Sequence, residues 1–565
     1  MKHWLTLLPT AAWFALCVGT GCTGPILRPQ SPAANSDEEN KSEPFLVGNL
    51  AHPYGMKYVK LESVALVTGL SGTGDDPPPS SQRAALLGEM NRRDVEDPNH
   101  VLASTNTALV LVRAFLRPGI QAGDRFDVEV KAPTRSNTTS LRGGKLLETR
   151  LSETALLGEQ IRKGHLMAVA QGAVLVDPSA DNDKDSAIAR RGRVLGGGVV
   201  TKSRNLGLVL DQKHQSIRIS QSLGKAINRR FHSYTGGRRQ GVATPKNDEF
   251  VELLVHPRYK DNVGRFMRVV RNIVIEESAG ELLARLKMLD RQLLDPVTSS
   301  TAAVRLEAIG GDQAIEILSA GLETEDPEVR FYAAEALAYL DVTEAVAPLV
   351  LASREEPAFR ANALAALSAM DDGAAYDSLR SLLGVKSAET RYGAFRAIWA
   401  MSPNDLLTRG EDMSGMFTYH VLDVPGTPMI HATSSHRPEI VLFGKDHQFK
   451  LPLVLDAGPR ILINGLSGGK VKVSRFGETT QQRVVSSDVD AVIRAVVELG
   501  GAYPDVVQML QQSKETGALA SRFRVNALPE TGRELLKSHE NKASPEPYDS
   551  YEVETPEPDL FGLKN

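Results

Sequence analysis

A segment that repeats itself is the feature of this chain that most narrows its fold. An arginine recurs in the same phase at Arg330, Arg360 and Arg391, which sets a period of about 30 residues. In each copy, acidic or polar residues precede an Ala-rich stretch typical of a helix, and the small Ala side chains allow helices to pack closely. The three copies are residues 326–340, 356–370 and 387–401. The pattern predicts a stack of helical units.

The repeated segment resembles HEAT repeats, in which pairs of helices stack into a solenoid. A degenerate copy around residues 304–309 adds a fourth unit. The resemblance implies a surface for a protein partner, which the sequence does not identify. Arg330, Arg360 and Arg391 are candidates for that contact. We prefer a structural interpretation, because such arginines commonly pair with acidic residues of a neighbouring repeat.

The first residues of the chain predict export from the cytoplasm. A short basic start precedes an apolar stretch over residues 4–18, which is too short to span a bilayer as a mature helix. The context of Cys22 is similar to the lipobox of bacterial lipoproteins, although Gly19 stands where that pattern usually has an aliphatic residue. We expect a signal peptide and acylation of Cys22, with ordinary signal cleavage near the same place as the alternative.

Composition narrows the class of protein further. The chain has 565 residues, too many for one hydrophobic core, and its 42% hydrophobic and 24% charged residues are enough for several packed domains. Lys and Arg number 65 against 69 for Asp and Glu, so the chain as a whole does not attract nucleic acid. Cysteine occurs only at Cys17 and Cys22, so the mature body has no pair with which to form a disulfide.

Hydrophobic periodicity divides the chain into blocks. Short alternating runs such as residues 108–115 and 125–130 indicate a β-rich domain, and strands alternate with amphipathic helices from residue 205 onward. Strands return after the repeats, and a last helical pair follows. The predicted boundaries are 1–21 for the signal peptide, 22–57 for a tether, 58–204 for the β-rich domain, 205–280 for an α+β domain, 281–402 for the helical repeats, 403–485 for a β-rich segment, 486–530 for closing helices and 531–565 for a disordered tail. The predicted fold class is α+β, with β-rich and small α+β domains interrupted by an all-α solenoid.

Three sets of residues resemble the flagellar P-ring protein family, in the same order along the chain. The first set is residues 66–75; the second is 117–130, 140–147 and 168–172; the third is 488–499, 503–512 and 517–520. The resemblance implies ring-forming domains and a non-enzymatic structural subunit of a periplasmic bushing around the flagellar rod. It also implies a homo-oligomeric ring, with flagellar rod and outer-ring proteins as partners and peptidoglycan nearby. The repeat block and residues 418–485 have no counterpart in that family.

The shared motifs have a physical explanation that requires no chemistry. Gly69, Gly72 and Gly74 predict a chain reversal in which residues with a Cβ atom would be strained. Residues 140–144, which include Arg142, fit either a hairpin tip or a contact between subunits.

A local basic cluster surrounds residues 232–237 in an otherwise balanced chain. Its members are Arg229, Arg230, Arg238 and Arg239. The cluster could contact peptidoglycan carboxylates, anionic lipid or an acidic partner. The preferred alternative is a solvated loop.

Motifs for catalysis and cofactor binding do not emerge from the sequence. The stretch 69–75 lacks the Gly-Lys-Ser/Thr ending of a phosphate loop, and no Gly-x-Ser-x-Gly or HExxH motif occurs. His431, His436 and His447 form the densest histidine group, but their spacing fits no helix face. We therefore predict no catalytic, cofactor-binding or metal-binding residues.

Two functional hypotheses follow from the sequence. The first is a structural P-ring subunit of the bacterial flagellar basal body, located in the periplasm and anchored to the outer membrane if Cys22 is acylated. The second is an envelope lipoprotein scaffold that has a P-ring-like fold and binds other proteins through its HEAT-like repeats.

Overall fold

The computed structural model describes residues 44–157, 160–177, 186–235, 237–477, 479–531 and 558–561. The predicted signal peptide, the acylation of Cys22 and most of the predicted tail fall outside these residues. Residues from Phe45 onward form one compact unit. Across the described ranges, the structure contains no helix that is both long and apolar enough to cross a membrane.

A six-stranded closed barrel forms the first domain. The chain enters through strand β1 (Ala51–Tyr54), which belongs to a neighbouring sheet, and the barrel strands are β2 (Val59–Thr68), β3 (Thr107–Leu116), β4 (Arg125–Lys131), β5 (Lys145–Leu157), β6 (Gln160–Ala173) and β7 (Arg191–Val200). They close in the order β2-β3-β4-β7-β6-β5. Phe126, Val128 and Val130 of β4 all face the barrel core, as their alternation predicts. A closed barrel has no free sheet edge.

Two helices that sequence analysis did not assign cover one side of the barrel. The barrel domain contains α1 (Ser81–Arg92), α2 (Pro98–Ala103) and the short α3 (Ser186–Ala189). Leu86 and Met90 of α1 and Leu102 of α2 form a small apolar cluster with Leu66 and Leu109 of the barrel. The helices therefore pack on the outer surface of β2 and β3.

An antiparallel sheet with helices on one face forms the second domain. Its elements are β8 (Leu206–Leu210), α4 (Ile217–Arg230), β9 (His232–Thr235), β10 (Arg238–Gly241), β11 (Ala243–Pro245), β12 (Phe250–Leu253) and α5 (Val263–Arg271). The sheet order is β1-β8-β12-β11, and Leu208 shares a core with Ile227 of α4 and Phe266 of α5. Strand β1 and the fully buried Val47 lie within the range predicted as a tether, so the folded part begins earlier than that boundary.

Eight helices form the repeat segment. They are α6 (Ala279–Leu294), α7 (Ser299–Ile309), α8 (Gly311–Leu322), α9 (Pro327–Tyr339), α10 (Val346–Glu355), α11 (Arg360–Ala369), α12 (Gly373–Leu382) and α13 (Ala388–Met401). Asp326 accepts hydrogen bonds from the backbone N–H groups of Glu328 (2.8 Å) and Val329 (3.1 Å), and Ser387 accepts one from that of Thr390 (3.2 Å). These side chains satisfy backbone donors that helix ends otherwise leave unpaired, so polar residues begin α9 and α13 as predicted, whereas Phe359 precedes α11 without a side-chain cap.

The remaining strands and the closing helices share one core. The elements are β13 (Glu411–Met413), β14 (Phe417–Leu422), β15 (Met429–Ala432), β16 (Glu439–Phe443), β17 (Val454–Ala457), β18 (Ile461–Leu466), β19 (Lys470–Arg475), β20 (Gln481–Ser486), α14 (Val489–Glu498), α15 (Tyr503–Glu515) and β21 (Arg522–Val525). One sheet runs β13-β14-β16-β15-β21 and the other β17-β18-β19-β20. Because β21 pairs with β15, the predicted boundary between residues 485 and 486 runs through a single folded unit.

Candidate functional site: domain joints and exposed surfaces

A fully buried ionic cluster joins the α+β domain to the helical repeats. Arg265 of α5 places Nη2 at 2.5 Å from Glu307 Oε2 on α7 and Nη1 at 2.5 Å from Glu335 Oε2 on α9. The Tyr259 hydroxyl donates to Glu307 Oε1 at 2.6 Å, and the Tyr259 ring stacks on that of Tyr339, with centroids 4.6 Å apart. We call these five residues the first joint. One guanidinium thus holds carboxylates from two successive repeats.

Charge balance within the first joint keeps its arginine ionised. Burial alone lowers the pKa of Arg265, but the carboxylates of Glu307 and Glu335 outweigh it and hold that pKa above its usual range. The side chains of Arg265, Glu307 and Glu335 are at most 3% exposed. Because such charges are stable in a dry interior only when paired, the first joint fixes how the repeats attach to the α+β domain.

Sequence analysis missed the first joint because its members resemble surface charges when read one at a time. One signal was present. Glu335 interrupts a run of alanines in the apolar second half of α9, and an acid in that context needs a buried partner. The partner, Arg265, lies in another block of the sequence, and only the fold brings the two together.

A second buried cluster attaches the last repeat helix, α13, to the C-terminal unit, which comprises β13–β21 with α14 and α15. The Tyr392 hydroxyl of α13 donates to Glu439 Oε1 at 2.7 Å, and Arg396 Nη1 lies 3.2 Å from Glu439 Oε2. His420 Nε2 of β14 lies 3.3 Å from the same oxygen. Burial raises the pKa of Glu439, but Arg396 and His420 outweigh it and hold the pKa well below its usual range. The repeats are thus anchored at both ends.

His431 is buried beside this second cluster. Its ring stacks on Tyr392 with centroids 3.8 Å apart, and its Nε2 accepts the Ala527 N–H at 3.0 Å. Burial lowers the pKa of His431 to about 3, so the ring is neutral at physiological pH. Among the described residues, no three His, Cys, Asp or Glu side chains are grouped to hold a metal ion.

The three register-matched arginines share a structural role. Each donates to a backbone carbonyl in the last turn of the preceding helix or just beyond it: Arg330 to Thr324 (2.7 Å), Arg360 to Ser353 (3.0 Å) and Arg391 to Leu383 (2.7 Å). Arg360 also pairs with Glu389 of the next repeat at 2.6 Å, as the repeat pattern predicts. The recurring phase therefore reflects helix C-terminal carbonyls that need donors.

The predicted basic cluster divides into a half-buried and an exposed part. Arg230 points inward, donates from Nε to the Glu307 carbonyl at 3.1 Å and so supports the first joint. Arg229 in the last turn of α4 and Arg238 and Arg239 of β10 are exposed, and Arg239 donates to the Arg229 carbonyl at 3.3 Å. Three exposed guanidinium groups form a surface suited to carboxylate or phosphate groups.

The Gly-rich motif residues form turns at one end of the barrel. Gly69 and Gly72 have positive φ, and a Cβ atom on Gly74 would lie 2.0 Å from the Thr107 carbonyl oxygen, so each position requires glycine. Residues 140–144 form a tight turn that leads into β5, rather than the tip of a hairpin. Arg142 in this turn donates to the Asp177 carbonyl at 3.4 Å.

One face of the α+β sheet is exposed and partly apolar. Tyr54 is 56% exposed and meets Phe250 edge to face, with ring centroids 5.5 Å apart. Val209, which is opposite Phe250 in the strand register, is 38% exposed. We call these three residues the sheet-face patch. Ion pairs lie nearby: His52 with Asp211 and Lys246 with Glu252. An apolar patch with polar neighbours is typical of a protein contact surface.

A cleft of about 380 Å³ lies between α1 and the outside of β2 and β5. Val64, Met90 and Leu166 contribute apolar surface to its lining, and Glu62 and Arg150 contribute charges. The cleft therefore combines apolar and charged surface, as ligand clefts commonly do.

Comparisons with known proteins match two parts of the chain. The family model for the flagellar P-ring protein matches residues 47–284, and the model for HEAT repeats matches residues 315–399. The third set of resembling residues, 488–520, lies outside the matched region and stays a prediction.

Relatives of known name match only part of the chain. The flagellar P-ring protein of Hydrogenovibrio crunogenus is 32% identical over 241 residues, covering 40% of this chain and 60% of the relative. That of Anaeromyxobacter dehalogenans strain 2CP-1 is 31% identical over 241 residues, covering 41% and 60%. Flagellar P-ring protein 2 of Bradyrhizobium diazoefficiens is 28% identical over 252 residues, covering 41% and 63%. The chain thus spans about three fifths of these relatives' length. Residues 47–284 are thus similar to the flagellar P-ring protein family, and residues 315–399 are similar to HEAT repeats.

Proposed function

We propose that this protein is a structural subunit of the flagellar basal body P-ring, in which identical copies form a stiff collar around the rod. The match of residues 47–284 to the flagellar P-ring protein family carries the proposal. A closed barrel next to a sheet with one exposed face is suited to a load-resisting structural role, because the barrel is rigid and the exposed face is available for contact with another subunit. The role requires no catalysis.

Within this proposal, the sheet-face patch contributes to the contact between neighbouring copies. Tyr54 and Phe250 supply aromatic surface of the kind that dominates binding energy in protein interfaces. The exposed arginines of the β9–β10 hairpin face peptidoglycan carboxylates or an acidic partner. Export to the periplasm and acylation of Cys22 would place the subunit beside the outer membrane.

Gene deletion followed by complementation tests the proposal. We expect the deletion strain to lose swimming and its isolated basal bodies to lack the ring, and the intact gene to restore both. Complementation with Tyr54→Glu should fail, because a buried carboxylate would face the neighbouring subunit. The matched control is Leu406→Glu, at a loop position that is 89% exposed. Normal swimming and complete rings in the deletion strain would refute the proposal.

A second candidate is an envelope scaffold that uses the P-ring-like domain in another assembly. The observation that favours it is the size of the additional part, because the match to the flagellar P-ring protein family model ends at residue 284, and most of the repeats and the whole C-terminal unit follow it. Purification of the protein from envelopes separates the candidates. Recovery with rod and outer-ring proteins supports the ring, and recovery with unrelated envelope proteins supports the scaffold.

A further inference from the structure

Residues 558–561 lie in a recess where four parts of the chain meet. We call them the latch segment. The Asp559 N–H donates to the Asp261 carbonyl of the α+β domain at 2.7 Å, and the Asp559 carboxylate lies 3.9 Å from Arg117 Nε of the barrel domain. The Phe561 ring stacks on Tyr392 of α13, with centroids 5.8 Å apart. The Phe561 carbonyl accepts from Arg437 Nε of the C-terminal unit at 3.1 Å.

Burial of the latch segment shows that these contacts are extensive. Leu560 and Phe561 are only 5% and 6% exposed and belong to the same apolar cluster as the repeat helices. Asp559 Oδ1 accepts the Phe561 N–H at 3.1 Å, which folds the segment into a compact turn. These residues fall within the range predicted as a disordered tail, and they pack like core residues instead.

The recess presents groups suited to an acidic and apolar peptide. Arg437 is itself 5% exposed, and its guanidinium lies over the Trp399 ring, 5.1 Å from the centroid. The surrounding structure therefore positions the Arg437 Nε–H group before the peptide carbonyl binds. Arg117 is held in place by an ion pair with Asp124, whose Oδ2 lies 3.1 Å from Arg117 Nη2. The Tyr392 ring supplies the apolar wall for Phe561.

A glycine on the last repeat helix accommodates the chain that leads toward this recess. A Cβ atom at Gly393 would lie 2.5 Å from Leu364 Cδ1 of α11 and 2.9 Å from Pro529 Cγ, so glycine lets both α11 and the segment after β21 pack closely on α13. Two segments that follow β21 in the chain thus lie against α13, one at Pro529 and one at Phe561.

We propose that this recess is a binding site for a short peptide with an acidic residue followed by two large apolar residues, and that the latch segment fills it. The four parts that it touches are the barrel, the α+β domain, the repeats and the C-terminal unit. Filling the site therefore clamps all four together and closes this part of the repeat surface to other proteins. A partner carrying a similar peptide must displace the latch segment in order to bind here.

Thiol labelling tests whether the latch segment is docked in solution. Cys17 and Cys22 are replaced by serine, and Leu560→Cys is compared with Leu406→Cys, whose position is 89% exposed. We expect the buried thiol to react with a maleimide at least about tenfold more slowly than the exposed one. Adding Phe561→Ala should raise the Leu560→Cys rate toward that of the control. Equal rates for the two cysteines, or a slow rate that Phe561→Ala leaves unchanged, would overturn the proposal.

Peptide binding tests whether the recess recognises the sequence itself. The probe is a fluorescent synthetic peptide of residues 554–565, added either to the intact chain or to the full chain carrying Leu560→Ala and Phe561→Ala. We expect binding to the double variant to be at least about tenfold tighter, because its recess is vacated. A probe peptide with Phe561 replaced by Ala should lose that binding. Equal affinity for both chains, or no binding to a double variant with native circular dichroism, would contradict a peptide site.

Discussion

The first joint predicts that one substitution will weaken the attachment of the repeats. Replacing Arg265 with methionine keeps a long apolar side chain but leaves Glu307 and Glu335 buried without their counter-charge. Removing one partner of a buried ion pair costs about 3–5 kcal/mol, because the remaining charge is neither solvated nor paired. We expect Arg265→Met to lower the free energy of unfolding by at least about 3 kcal/mol.

The same substitution should also make stability depend on pH in a specific direction. Burial already raises the pKa of Glu307, and without the Arg265 cation that pKa rises further in the folded variant relative to the unfolded chain. The folded state then binds more protons than the unfolded state, and stability is lost as pH rises. The variant should therefore be less destabilised at pH 5 than at pH 8.

Urea unfolding monitored by circular dichroism measures the loss, and hydrogen exchange locates it. We expect faster exchange in α5, α7 and α9. Arg291→Met is the matched control, because it makes the same chemical change at an exposed position of α6. A triple variant with Arg265→Met, Glu307→Gln and Glu335→Gln should recover part of the stability, since no buried charge remains. A loss below about 1 kcal/mol, equal to that of the control, would refute the reasoning.

Three further predictions address other parts of the molecule. Burial holds the pKa of His431 at about 3, below its unfolded value of 6.5. The free energy of unfolding should therefore fall as the pH drops below about 6.5, by up to about 1.4 kcal/mol per pH unit. In thermal denaturation measured over a pH series, His431→Gln should flatten this part of the dependence. Gly74→Ala should destabilise the barrel by about 1–3 kcal/mol in chemical denaturation, because its Cβ atom would lie 2.0 Å from the Thr107 carbonyl oxygen. Gly88→Ala in α1 should instead stabilise the domain by up to about 1 kcal/mol, because its Cβ atom meets open space. Tyr54→Glu should reduce self-association of the purified protein in analytical ultracentrifugation, and an unchanged mass distribution would count against the sheet-face patch as a contact.

Local patterns were sufficient to predict the type of most elements. Alternating residues such as Phe126 and Val128 identified a strand, and polar residues before Ala-rich stretches identified the repeat helices, because both signals depend on neighbours in the sequence. The α+β fold class with an all-α segment, the P-ring resemblance over the first domains and the HEAT-like repeats are all confirmed. Helices α1 and α2 were not predicted from the sequence, because their apolar residues are few and pack on a barrel formed by strands distant in the chain.

The sequence by itself determined where helices and strands form and where glycine is required, since both depend on backbone preferences and short-range periodicity. Only the tertiary structure decided which charges are buried and which parts of the chain meet. Arg265 and Glu335 look like solvated residues until folding removes water from both, and residues 560 and 561 look like a tail until four domains surround them. Burial is a property of the whole fold, because the atoms that displace water come from residues far apart in the chain.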